Sequence, residues 1–137
     1  MITAFYQHLA AAGVSRTKSR TIMYEYLAER GPVSMPQLQA GLENRLDRAS
    51  IYRNLELFRS LGVVHEVGMG RDRRFELSDA YSPHHHHFTC ANCGLMATLE
   101  LASVEQQLVR LAELRGYVLH GHQIELSGLC AVCAAAY

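Results

Sequence analysis

Apolar side chains recur every three to four positions through the first 60 residues, a spacing typical of amphipathic helices. The pattern predicts four helices, over 2–12, over 18–29, from Ser34 onward and from Asp47 to Gly62. The last two begin at residues that cap helices well, and glycines follow the first, second and fourth. In the fourth helix the pattern turns Ile51, Leu55 and Phe58 inward.

Beyond the fourth helix the pattern shortens to two strand-like runs, 63–67 and 73–77. The loop between them, 68–72, contains two glycines and a basic residue, as a β-hairpin turn does. Helices followed by a basic hairpin are the layout of a winged helix-turn-helix. A solvated charged face on an ordinary helical domain is the alternative.

The second half predicts a small α+β unit. It reads as a strand over 95–101, a helix from Ser103 to Arg115 opened by a capping box, and strands over 117–120 and 122–126. The predicted fold class is therefore α+β. We divide it into a winged-helix domain (1–78), a hinge (79–83) and a second domain (84–137) that holds the metal ligands.

The formal net charge is zero, but the two halves differ. Residues 1–74 hold 11 Lys/Arg and 7 Asp/Glu, whereas residues 75–137 hold 2 and 6. A basic half suits a polyanion, and Arg and Tyr on a helix reach phosphates and base edges in a major groove. The candidate DNA-contacting residues are Arg48, Tyr52 and Arg53 on the fourth helix, with Arg16, Lys18, Arg20, Arg71 and Arg73 for phosphates.

Composition adds limits on location. Apolar content of 49% and charged content of 19% are typical of a globular chain, and no apolar run approaches a membrane span. The N-terminus lacks a secretory layout, which predicts a cytoplasmic protein with reduced cysteines.

The four cysteines form two Cys-x-x-Cys pairs, Cys90/Cys93 and Cys130/Cys133. Each pair supplies two thiolates from one tight turn, and two turns complete a tetrahedral structural zinc site. Buried apolar cysteines and a redox disulfide are the alternatives.

Four consecutive histidines precede the first cysteine pair. In an extended segment, His84 and His86 point one way, and His85 and His87 the other, so one strand can serve two metal sites. Glu105 and His122 are candidates for the first site. His65, Glu76 and Asp79, on or beside the hairpin, are candidates for the second, which would tie the two halves together. A polar histidine-rich loop is the alternative.

These residues together resemble the ferric uptake regulator family of bacterial metal-responsive repressors. The resemblance is carried by Ser50-Ile51-Tyr52-Arg53, by Arg74-Phe75-Glu76-Leu77, by the histidine run with Cys90 and Cys93, and by the last cysteine pair. No cysteine lies near Glu76, where zinc regulators often place one, and Pro32 stands where some members have a histidine.

The resemblance implies a homodimeric repressor on a palindromic, AT-rich operator, with Ser50, Tyr52 and Arg53 at the DNA. It implies structural Zn(II) on the four cysteines and a site in the dimerisation domain at His84, His86, Glu105 and His122. The regulatory hinge site would hold Fe(II), Zn(II) or Mn(II) through His65, His85 and His87, with Glu76 or Asp79 as the acidic partner.

Three other functions compete with this interpretation. A peroxide sensor on the same scaffold would use Fe(II) to oxidise a ligating histidine such as His85. A metal-buffering protein would lack the DNA-binding face. A zinc hydrolase needs an open metal and a general base, and no His-Glu-x-x-His helix occurs, so we predict no enzyme.

Overall fold

The computed structural model describes every residue from Met1 to Tyr137 and confirms the predicted α+β class. Two compact units meet in the sequence between Pro83 and His84. In chain order the elements are α1 (Ile2–Ala11), α2 (Lys18–Arg30), α3 (Met35–Leu42), α4 (Arg48–Ser60), β1 (Val64–Val67), β2 (Arg74–Leu77), β3 (His86–Cys90), β4 (Met96–Leu99), α5 (Ala102–Leu114), β5 (Glu125–Gly128) and α6 (Ala131–Ala135). None of these helices has the length and apolarity needed to traverse a bilayer.

In the first unit, α3 and α4 each begin directly after a residue whose side chain caps the helix. Ser34 Oγ accepts a hydrogen bond from the Gln37 backbone N–H at 3.3 Å, and Gln37 Oε1 accepts one from the Ser34 N–H at 2.9 Å. This is the predicted capping box of α3. Asp47 caps α4 by accepting from the Ser50 N–H at 2.9 Å.

The four helices of the first unit bury one apolar core. Its fully buried members are Phe5, Leu9, Met23, Leu27, Leu38, Leu42, Ile51, Leu55, Phe58 and Val63. Strands β1 and β2 pair antiparallel with Val64 opposite Leu77 and Val67 opposite Arg74, so the predicted hairpin wing is confirmed. A bridge between Val33 and Phe75 joins the wing to the segment before α3.

The second unit contains a three-stranded sheet in the order β4-β3-β5. The central strand β3 pairs antiparallel with β4 and parallel with β5. Because β3 carries two of the histidines and Cys90, its neighbours decide which side chains surround those ligands.

Two predicted features of this unit are wrong. The N-cap of α5 is Leu101 and makes no side-chain cap bond, because the helix begins one residue before Ser103 and leaves that serine inside the first turn. The predicted strand 117–120 is also wrong, and the predicted strand 122–126 is displaced, because residues 117–124 form neither helix nor strand and β5 runs from Glu125 to Gly128. Alternating polarity alone does not make a strand when no neighbouring strand supplies hydrogen bonds.

Candidate metal centres and nucleic-acid interface

The four cysteines converge at one end of the second unit. Cys90 ends β3, Cys93 lies in the turn after it, Cys130 is the N-cap of α6, and Cys133 lies within α6. Parallel pairing of β3 with β5, which places Cys90 opposite Gly128, brings the two cysteine pairs together across 36 intervening residues. All four Sγ atoms lie within 4.8 Å of one another.

The sulfur geometry fits a tetrahedral zinc ion. A Zn–S bond of about 2.3 Å places neighbouring sulfurs about 3.8 Å apart, and the Sγ atoms of Cys93 and Cys130 are separated by 3.8 Å. Around this cluster the Cys130 backbone N–H donates to Cys90 Sγ at 3.3 Å, and the Asn92 amide donates to Cys133 Sγ at 3.2 Å. These donors stabilise negatively charged sulfur.

Charge is unevenly distributed among the thiols. Backbone N–H groups of Cys93 and then Cys130 lower the pKa of Cys90 to about 6. The Leu95 N–H acts in the same direction on Cys93, but the hydrogen bond of the Cys93 thiol with Cys90, together with burial, outweighs it and raises the pKa of Cys93 to about 11. Four thiols this close do not all ionise without a cation among them, so the donor set is built for a metal.

A second cluster joins one side of the histidine strand to α5. Glu105 Oε1 lies 2.6 Å from His86 Nε2 and 3.4 Å from His84 Nε2. His122 Nε2 lies 3.0 Å from His84 Nε2 and 3.4 Å from His86 Nε2. The hydrogen bond from His86, followed by the charges of His84 and His122, lowers the pKa of Glu105.

These distances also suit a four-coordinate ion. Ligand bonds of about 2.05 Å in a tetrahedron give edges of about 3.3 Å between ligand atoms. Sequence reasoning had grouped the same four residues, and the structure brings all four together. His86 is 4% exposed, whereas His84 and His122 are exposed, so the cluster extends from the surface of the unit into its interior.

The candidate regulatory ligands are divided between the units. In the second unit the rings of His85 and His87 are centred 4.8 Å apart, and His87 is buried. In the first unit His65 and Glu76 are cross-strand partners on the wing, with His65 Nε2 at 2.9 Å from Glu76 Oε1. Asp79 lies exposed two residues after β2. Each unit thus presents part of the predicted ligand set.

The predicted DNA-contacting residues lie on the first unit. Arg48, Tyr52 and Arg53 are exposed on α4, with Tyr52 48% exposed. Ser50 is half-buried and donates to Asp47 Oδ2 at 2.7 Å, while Arg53 donates to Ser50 Oγ at 3.4 Å. The Ser50 hydroxyl therefore belongs to the cap of α4 and orients Arg53.

The remaining predicted basic residues flank that helix. Arg71 and Arg73 are exposed on and beside the wing loop, and Arg16 and Lys18 are exposed before and at the start of α2. Arg20 is half-buried, and its guanidinium hydrogen-bonds the Ser15 carbonyl and hydroxyl. These contacts hold the Arg20 guanidinium against its own chain.

Sequence reasoning missed one basic residue of this face, Arg45, whereas Arg59 lies on the polar side of the fourth helix that the sequence predicts. Arg45 lines a concave surface with Arg16 and Lys18, although it lies in the turn after α3. Arg59, at the end of α4, binds Glu56 and Glu66 at 2.9 Å each. Arg45 carried no sequence signal, because it lies in a turn and not on a periodic helix face, whereas Arg59 and Glu56 have the i, i+3 spacing of a helix.

An apolar face dominates the outer side of α5. A groove of about 390 Å³ is lined by Leu108, Leu111, Ala112, Arg115, Tyr117, Leu119 and His122. Only Ala112 of α5 is buried, while Leu111 is 54% and Leu114 83% exposed. Contiguous apolar surface of this kind marks a protein interface.

A basic winged helix followed by a cysteine-and-histidine ligand unit defines the class of metal-responsive transcription regulators. The ferric uptake regulator family model matches residues 11–127, and this chain belongs to that family. The family expected from the sequence motifs is thereby confirmed.

Three known proteins illustrate the likeness. The ferric uptake regulation protein of Campylobacter jejuni is 28% identical over 97% of this chain and 88% of its own length. The peroxide operon regulator of Bacillus subtilis is 28% identical over 92% of this chain and 88% of its own length. The solved structure of Helicobacter pylori Fur, described as having three functional metal-binding sites, superimposes with a TM-score of 0.82 at 18% identity, covering 97% of this chain and 91% of that one.

Proposed function

We propose that this protein is a metal-dependent transcriptional repressor of metal-uptake genes that acts in the cytoplasm and is not an enzyme. One observation carries the proposal. The first four residues of the second unit, directly after the boundary with the DNA-binding unit, are all metal-ligand side chains. Ligation at that position is suited to control how the two units are arranged.

Each metal centre has its own role in this proposal. Zn(II) held by the four cysteines is structural, because four thiolates fill a tetrahedral ion and leave no open position. The centre at His84, His86, Glu105 and His122 stabilises the dimerisation domain. Its three imidazoles and one carboxylate favour Zn(II) over Mn(II), since imidazole suits the later metals of the Irving–Williams order.

The regulatory centre uses His85 and His87 with His65 and an acidic partner. A divalent cation, Fe(II), Zn(II) or Mn(II), supplies one centre that imidazoles and carboxylates from both units share. Glu76 is the preferred acidic partner, because it is buried and already positioned by His65, whereas Asp79 lies exposed. Shared ligation selects one arrangement of the units from the many that the metal-free chain samples.

DNA recognition requires two copies. The exposed apolar face of α5 fits a second copy of the same face, as a two-fold interface demands. In a dimer, two α4 helices spaced by about 34 Å enter successive major grooves of a palindromic, AT-rich operator. Tyr52 and Arg53 then face base edges, and the flanking basic residues contact phosphates.

The experiment removes the two histidines that serve only the regulatory centre. The His85→Ala/His87→Ala variant is compared with wild type for binding to duplexes selected by the wild-type protein from a random pool, with and without Mn(II), Fe(II) or Zn(II). We expect it to lose the metal-dependent gain in affinity, which corresponds to a coupling of about 1–3 kcal/mol per subunit.

His120→Ala is the matched control, because it removes an exposed histidine outside every cluster. If the double variant binds DNA as tightly as wild type and still responds to metal, the proposed hinge centre is wrong.

Peroxide sensing is the second candidate, favoured by the likeness to the peroxide operon regulator. It predicts that the Fe(II)-loaded protein gains one oxygen on a ligating histidine such as His85 when exposed to hydrogen peroxide, whereas the Mn(II)-loaded protein does not. Mass spectrometry of the peptide that contains the histidine run distinguishes the two functions.

A further inference from the structure

The segment between the wing and the histidine run was predicted as a hinge, yet most of it is tied to the first unit. The Ser78 backbone N–H donates to Val63 O at 2.9 Å, and its hydroxyl donates to Gly62 O at 2.8 Å. The N–H groups of Tyr81 and Ser82 both donate back to Ser78 O, at 2.8 and 3.1 Å. Residues 78–82 therefore form a hydrogen-bonded turn.

Tyr81 fixes this turn to the core of the first unit. Its side chain is 4% exposed, and its ring meets those of Phe5 and Tyr24 edge-on at centroid distances of 6.4 and 5.9 Å. The ring of His8 lies nearly parallel at 6.2 Å, and the Tyr81 hydroxyl is hydrogen-bonded to His8 Nδ1. One side chain thus links the end of the turn to α1 and α2.

This attachment shortens the connection between the units. Only Ser82 and Pro83 separate Tyr81 from His84. Proline has a fixed φ, and it restricts the residue before it as well, so the remaining connection has few soft dihedrals. A short, stiff connection transmits a rotation of the histidine strand, whereas a slack one absorbs it.

We propose that Tyr81 is a positioning residue: it anchors the connection to the DNA-binding unit, so that metal capture by His85 and His87 is transmitted to α1 and α2. This inference rests on the proposed metal-dependent DNA binding and adds a residue that touches neither metal nor DNA. Losing the anchor lowers the coupling between the two ligands, without removing any metal or DNA contact.

The test compares two tyrosine-to-phenylalanine variants, one of which removes a hydrogen-bonded hydroxyl and the other a hydroxyl without a partner. Tyr81→Phe keeps the ring and removes the hydrogen bond to His8. Tyr24→Phe is the matched control, because the Tyr24 hydroxyl is buried in the same aromatic cluster without a hydrogen-bond partner. A third variant, His8→Phe, removes the same hydrogen bond from the other side and keeps a ring.

The readout is the ratio of DNA affinity with Mn(II) to affinity without it, measured on the duplex that the wild-type protein selects. We expect Tyr81→Phe and His8→Phe to lower this ratio about three- to tenfold, as loss of one hydrogen bond allows, and Tyr24→Phe to leave it unchanged. A purely structural role would lower affinity equally with and without metal and leave the ratio constant, which would overturn the proposal.

Hydrogen exchange of the metal-free protein provides an independent check. We expect the Tyr81 and Ser82 amides to be protected in wild type and Tyr24→Phe, and to exchange faster in Tyr81→Phe. Intrinsic exchange rates at these amides in wild type would overturn the anchor itself. If instead wild-type DNA affinity does not respond to metal while the amides are protected, the proposed function fails, and the transmission role fails with it.

Discussion

The two units are stabilised in different ways. Every apolar side chain that is buried belongs to residues 1–83, apart from Cys90 and Ala112. In the second unit the other buried side chains are polar, namely His86, His87 and Thr89, while the large apolar residues of α5 remain exposed. One unit excludes water from a core, whereas the other arranges ligands and leaves its apolar face open.

This difference predicts separate requirements for folding. A domain with a filled apolar core folds on the strength of that core. A unit below about 70 residues with few buried apolar groups needs staples, a metal or a second copy. The second unit has both the ligands for a metal and the face for a second copy, so its stability should follow those two factors.

Removal of zinc from the thiolate cluster should have the largest effect. Structural zinc contributes about 10–16 kcal/mol of apparent binding energy, so Cys93→Ser should unfold the second unit at neutral pH. The first unit should remain folded, because its core contains none of the four cysteines. Amide NMR spectra resolved by unit measure both outcomes, and Ala131→Ser is the control, since it alters an exposed neighbour on α6. Loss of both units together would contradict the comparison.

Acid should reproduce this loss without a substitution. The pKa of Cys90 is lowered to about 6, chiefly by the Cys93 backbone N–H, which favours its thiolate. A depressed folded-state pKa contributes stability above the unfolded-state value and loses it as pH falls through the folded value. In the metal-free protein this contribution should therefore be lost as pH falls from the ordinary thiol pKa to about 6. Bound zinc holds the thiolates ionised to lower pH, so zinc release and unfolding of the second unit should follow below that value, as a zinc-sensitive dye and NMR spectra would show.

Disruption of the apolar face should separate the copies. Leu111→Asp places a charge on the exposed face of α5, and burial of one leucine is worth about 1.5–3 kcal/mol, which two-fold symmetry doubles. We expect a shift from dimer to monomer in sedimentation velocity. Arg110→Asp is the control, because it adds the same side chain outside the residues that line the groove. A monomeric wild type would contradict the assigned partner.

A cavity in the core of the first unit should lower the free energy of unfolding of that unit, by an amount that does not depend on metal. Leu55 is 1% exposed, and Leu55→Ala should lower the free energy of unfolding of this unit by about 2–5 kcal/mol. Met69→Ala, at a half-exposed position on the wing loop, should change it little. Urea titrations with and without zinc measure the difference. A cost for Leu55→Ala that depends strongly on zinc would show that the units do not have separate sources of stability.

Sequence patterns predicted the first unit more fully than the second. Periodic apolar spacing identified α4 and its inward residues Ile51, Leu55 and Phe58, because that helix packs against its own chain. Over 117–124 the apolar pattern was read as two strands, but these residues have no partner strand within the chain, and Tyr117 and Val118 are exposed. Apolar periodicity predicts that one face of a segment is apolar, but it does not predict what packs against that face.

The residues that ligate metal were also easier to predict than the contacts that hold the segment preceding them. Spacing alone grouped the four cysteines and separated the histidines into alternate pairs, because side chains alternate along an extended strand. The contact of Tyr81 with His8 joins residues 73 positions apart. No local period encodes such a contact, so the sequence-based hinge included a residue that the core holds.

The smallest predicted effect concerns a Ser-x-x-Gln motif that occurs once in each unit, near the start of α3 and near the start of α5. Ser34-x-x-Gln37 and Ser103-x-x-Gln106 have the same letters, but only Ser34 caps its helix, while α5 begins before Ser103. Ser34→Ala should lower the free energy of unfolding of the first unit by about 1 kcal/mol, because the Gln37 N–H loses its acceptor. Ser103→Ala should be neutral or slightly stabilising, since alanine is the better residue within a helical turn. Urea titrations of each variant measure the pair, and equal losses would mean that both serines cap in solution.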